Sequence, residues 1–139
     1  MQRIRNKFDL DIWTRNLVLF AMALFLSRFG QGLLGSARTN FFVDTIGLDG
    51  GEVLWLEGLR EIPGLALIFI SALTMRLPAC WRAAGALVIM GASFGLYATV
   101  NSYTALVAMA IAASLGMHMW MPLQSTLGMC LTTKDKSGR

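Results

Sequence analysis

Charge is what this sequence has least of. Only 14% of its 139 residues are Asp, Glu, Lys or Arg, where a soluble domain of this size carries about 25%. That deficit excludes an ordinary water-soluble globule. Cysteine is nearly absent too. Cys80 and Cys130 lie far apart, with no metal-ligand spacing, so neither a disulfide nor a zinc site is expected. They read as small packing residues near the cytoplasmic side, where thiols stay reduced. Histidine occurs once, as His118. No serine or cysteine has a base beside it, and the only close carboxylates at a credible site are Glu57 and Glu61. An enzyme, a metal site and a cofactor are therefore not expected. The cations alternate with apolar blocks instead of sharing a surface with aromatics, which excludes a nucleic-acid partner.

What the chain does have is apolar length. Hydrophobic residues make up 55%, and the mean hydropathy is +0.58. They gather into four blocks, which predict an all-α, polytopic membrane protein. Its four transmembrane helices cover 17–42, 53–77, 81–100 and 103–131, in one domain over 1–139 whose first partner is the lipid bilayer. At about 1.5 Å per residue the first block exceeds the roughly 30 Å hydrocarbon core. It opens as the unbroken run Leu17 to Leu26 and then takes in Arg28, Gln31 and Arg38 among glycines. Positions 28, 31, 35 and 38 share one helical face, so this span has a polar stripe, and polar groups at membrane depth mark functional sites. A basic start followed by Gly35-Ser36-Ala37 imitates a signal peptide. Arg28 interrupts that pattern and more spans follow, so the first helix is expected to stay uncleaved.

Orientation follows from the cations. Arg3, Arg5, Lys7 and Arg15 precede the first span, Arg76 and Arg82 flank the second connection, and Lys134, Lys136 and Arg139 end the chain. Residues 44–52 and the Asn101 turn have none. Both termini are expected on the cytoplasmic side of the cell's inner (plasma) membrane.

Three small-residue patterns are read as packing faces. Gly30, Gly32 and Gly35 spell Gly-x-Gly-x-x-Gly, but inside an apolar helix they lack the strand-to-helix setting a dinucleotide needs. Gly91 with Gly95, and Ala108 with Ala112 and Gly116, have the spacing of close helix contacts. Pro63 and Pro122 are candidate bends.

The ionisable residues suggest pairs. Glu57, Arg60 and Glu61 stand at i, i+3 and i+4 and can pair within the helix. Arg28 lies about 16 Å in from one membrane face and Glu61 about 12 Å from the other, so the two are expected to meet near mid-membrane. Such a pair can lock two helices or line an aqueous cavity, and both uses stay open. His118 lies among Met117, Met119, Trp120 and Met121, on one face with Ser114, Met121 and Ser125. It reads as a hydrogen-bonded packing residue or as a proton relay.

Gly58-Leu59-Arg60-Glu61-Ile62-Pro63-Gly64 after an acidic outer turn resembles the second-helix opening of bacterial major facilitator superfamily transporters. Pro122-Leu123-Gln124-Ser125 running into Thr133-Lys134-Asp135-Lys136-Ser137-Gly138-Arg139 is similar to that family's fourth helix and basic loop. Of the family's usual loop between helices two and three, residues 71–80 keep only Leu73 and Arg76. The resemblance implies twelve spans in two six-helix halves, of which this chain matches the first four, as an N-terminal part. It implies transport of a small solute by alternating access, with Arg28, Gln31, Arg38, Glu61 and His118 as cavity candidates and Arg76 in the cytoplasmic loop. The partners are then the remaining helices. Two alternatives stand beside it: a complete four-helix protein transporting as a homo-oligomer, or a membrane subunit that does not transport.

Overall fold

The computed structural model describes residues 14–131, which form four helices with no strand among them. Helix α1 is Arg15–Asn40, α2 is Gly50–Thr74, α3 is Ala79–Leu96 and α4 is Tyr103–Leu131. The lead-in, with Arg3, Arg5 and Lys7, lies outside the described residues, as do Lys134, Lys136 and Arg139.

Local chemistry fixes the ends. The Thr14 hydroxyl accepts from the Leu17 amide at 3.3 Å and starts α1. A π turn, Phe41–Thr45, carries that helix beyond the expected end at 42. Gly47, at φ +80, then lets the chain reverse, and the Leu48 amide returns to the Phe42 carbonyl at 3.0 Å. Asp49 and Glu52 form a reciprocal capping box, with bonds of 2.8 and 3.1 Å. That is why α2 starts three residues before the expected position 53. Pro78 caps α3, and a tight turn at Tyr97–Thr99 closes it. Both α2 and α4 are unbroken helices around Pro63 and Pro122.

Three segments are long and apolar enough to cross a membrane: Arg15–Thr45, Ala79–Thr99 and Tyr103–Leu131. Helix α2 falls short because Glu52, Glu57, Arg60 and Glu61 crowd its first half. Its second half is apolar and faces outward, with Leu65, Ile68, Phe69 and Leu73 more than three-quarters exposed. So much bare hydrocarbon suits lipid rather than water.

Helix α4 is the centre of the bundle. It buries Leu106, Ala110, Ala113, Gly116, Trp120 and Leu123, and α3 answers with Ala83, Ala86, Met90 and Ser93. Gly116 is the point of closest approach, since a Cβ there would fall 2.6 Å from the Ala86 carbonyl oxygen. The ridge that packs is thus Ala110, Ala113 and Gly116, with Ala108 exposed. Two apolar clusters pin the ends. Phe42, Leu48, Leu56, Tyr97 and Leu106 gather near the two short connections, and Ala83, Ala86, Trp120 and Leu123 gather with Phe20 and Leu24 at the Pro78 end.

Among the described residues the other expected packing faces go unused. A Cβ at Gly30, Gly32, Gly35, Gly91 or Gly95 would meet nothing within 4 Å, because α1 touches the bundle through other residues and α3 turns its Ala86–Met90 face to α4. Cys80 and Cys130 are free and exposed rather than packed.

Candidate functional site

Between the two apolar clusters runs a polar band that joins α1, α2 and α4. Three residues of α2 begin it. Arg60, only 8% exposed, pairs with Glu57 one turn earlier, the intrahelical contact the spacing suggests. The other oxygen of Glu57 takes Nη2 of Arg38 on α1 at 2.9 Å. Glu57 therefore bridges two helices and holds two guanidinium groups. The Arg60 backbone carbonyl accepts from the buried Ser114 hydroxyl, which ties α2 to α4.

One turn along, Glu61 faces His118, with Oε2 of the carboxylate 3.6 Å from Nε2 of the ring. The ring lies against Gly64, where a Cβ would come within 3.0 Å of it. Nε2 itself is buried without a hydrogen-bond partner among the described residues, while the Glu61 side chain is 67% exposed. Imidazole is thus sheltered and carboxylate open.

Arg28 and Glu61, expected to pair, do not meet. Arg28 instead donates through Nη2 to Oε1 of Gln124 on α4 at 3.0 Å. The depth count from the two membrane faces compressed each span to the slab thickness, whereas the first runs 31 residues, about 46 Å. From their shared end, Glu61 is eleven residues from Gly50 and Arg28 seventeen from Thr45, an offset of about 9 Å. Their partners on α4, His118 and Gln124, repeat that offset.

The remaining candidates separate. Gln31 donates to the Ser27 carbonyl of its own helix at 3.1 Å. The Ser27 hydroxyl accepts from Nε1 of Trp120 at 3.2 Å, and Phe20 stacks obliquely on the same indole. Arg76 is exposed in the turn after α2, and Met121 and Ser125 are exposed on α4. Sequence reasoning missed Gln124 and Trp120 as partners of α1. The one available signal was a polar or hydrogen-bonding side chain on the helix that also holds His118. Among the described residues no three His, Cys, Asp or Glu come together as metal ligands.

Two hollows lie between α1 and α3. One, about 300 Å³, has Arg38, Tyr97, Phe41 and Phe94 in its wall. The other, about 440 Å³, continues from it past Gln31 and Ser27 to Leu26 and Ala23, with Leu34 and Phe94 common to both. A smaller one of about 210 Å³ sits at the Pro78 end beside Arg82, Ser71, Thr74 and Thr126. Chemically the band and hollows offer fixed charges, hydrogen-bond donors and apolar walls. Comparison with family models, with curated proteins and with solved structures gave no match.

Proposed function

We propose that this chain is the membrane-embedded N-terminal part of a solute transporter of the major facilitator type. In this reading all four helices cross the inner membrane, both termini are cytoplasmic, and the chain belongs to a six-helix half that rocks in alternating access. One observation carries the reading. Arg38 of α1 and His118 of α4, each within a segment long and apolar enough to span, meet the carboxylates of Glu57 and Glu61 on α2. Charged groups at that depth are costly and mark solute or ion paths. The family resemblance of residues 58–64 and 122–139 adds the transporter type and the orientation.

Cysteine accessibility tests it. In a Cys80→Ser, Cys130→Ser background, single cysteines replace Arg28, Gln31, Glu61 or Ser125, with Phe25 and Phe69 as lipid-facing controls. A charged, membrane-impermeant methanethiosulfonate should modify the first set at least about tenfold faster, since it reacts only with water-exposed thiolate. Equal rates in both sets would sink the aqueous path.

The bare faces at Gly32 and Gly91 favour a second reading, a four-helix protein working as an oligomer or as a subunit. Cross-linking between copies through Gly32→Cys would support it.

A further inference from the structure

The first hollow between α1 and α3 has a wall that is apolar except at two residues, Arg38 and Tyr97. Both bring a buried polar atom that lacks a hydrogen-bond partner among the described residues, Nε of Arg38 and the hydroxyl of Tyr97. Tyr97 is 7% exposed, held by stacking on Phe41 and edge contacts with Phe42 and Phe94. Its hydroxyl therefore cannot turn to bulk water. Arg38 has spent Nη2 on Glu57, and its guanidinium is fixed over the Phe42 ring. Charge is unbalanced as well. Arg38, Arg60 and Glu57 form one electrostatic cluster with Tyr97, in which two guanidinium groups face a single carboxylate. A carboxylate ligand that parts the side chains covering these two atoms would supply the missing charge and accept from both idle donors.

The rest of the hollow sets the ligand's body. Leu34 and Phe94 lead from the polar end into the second, longer hollow, whose wall reaches Leu26 and Ala23. From Arg38 to Ala23 the helix rises about 22 Å, room for an extended twelve-carbon chain. Leu26 is exposed, so the trough opens sideways. Apolar walls ending in a few convergent polar groups are the usual form of a small-molecule site.

We infer that the α1–α3 trough binds a single-chain amphiphilic carboxylate, head at Arg38 and Tyr97, tail along Leu34 and Phe94. The inference deepens the transport reading by naming a class of solute, and rests on it only in calling that solute a cargo.

The test is equilibrium binding of radiolabelled dodecanoate, at pH 8, to the full chain in phosphatidylcholine nanodiscs, with empty discs subtracted. Binding should saturate at one per chain. Dodecanol and dodecyltrimethylammonium should compete at least about tenfold more weakly, lacking the charge-assisted bonds. Tyr97→Phe should weaken binding about threefold or more, and Leu34→Trp, which fills the trough, should abolish it. Arg38→Gln should lose at least about tenfold. Because Arg38 also holds Glu57, the Tyr97 and Leu34 variants decide if that variant does not fold. Dodecanol competing as well as dodecanoate, or both variants binding normally, overturns the inference. Binding as expected beside slow thiol modification at 28, 31, 61 and 125 would keep the carboxylate site and remove the transport reading. Fast modification with no binding would do the reverse.

Discussion

Helices α3 and α1 flank the same central helix and meet it in opposite ways. Against α3, α4 closes to backbone contact at Gly116, with Ala83, Ala86 and Met90 filling the seam. Against α1 the contact is a few points: Phe20 on Trp120, Trp120 to Ser27, Arg28 to Gln124. No residue of α1 is fully buried. Lipid offers no hydrophobic drive between helices, so a close seam stands on van der Waals contact and a loose one on single hydrogen bonds. The loose helix is also the one bearing the polar stripe and the trough. The α3–α4 pair is a frame, and α1 is the element most free to shift against it.

Five substitutions can break or sharpen that contrast. The largest effect is expected from Trp120→Ala. This side chain is 1% exposed and serves both sides, packing on Ala83, Ala86 and Leu123 while donating to Ser27. Its loss should cost about 3–5 kcal/mol, read as thermal unfolding in detergent. Next comes a matched pair. Gly116→Ala must force its methyl against the Ala86 carbonyl and should cost about 1–3 kcal/mol. Gly30→Ala and Gly32→Ala meet open space and should stay within about 0.5 kcal/mol. Equal costs at 116 and 32 would show that α1 is seated as tightly as α3. Between the two glycine sites falls Ser114→Ala, which removes the bond to the Arg60 carbonyl. Measurements on interhelical bonds in membranes place such a loss at about 0.6 kcal/mol, and at most about 1.7.

Much of the bundle could be read from the chain. Apolar blocks gave the four helices and Glu57 with Arg60 gave a pair, because each depends on neighbours along one helix; the Asp49–Glu52 cap is just as local and reads in the sequence only as an acidic turn. What could not be read depends on how one helix is rotated and slid against another. Ala108–Ala112–Gly116 and Ala110–Ala113–Gly116 are both plausible small-residue ridges; only the facing Ala86 and Met90 select the second. Gly30, Gly32 and Gly35 have packing spacing and no partner among the described residues. Arg28 and Glu61 were placed at one depth, and a shift of about two helical turns gave each a different residue of α4. The polar residues were therefore legible as a set and illegible as contacts.

The contact between Gly64 and His118 has a consequence for how this sequence can change. The ring lies where any side chain at 64 would begin, 3.0 Å from the position of its first carbon. Two positions fifty-four residues apart thus press on one volume, and a side chain gained at 64 needs the ring at 118 to give by a few tenths of an ångström. A methyl gained at 64 asks the imidazole, the only one in the chain, to move off its present seat, and a larger side chain there asks for less bulk at 118. Among descendants of this protein, histidine at 118 should travel with glycine, or at most alanine, at 64.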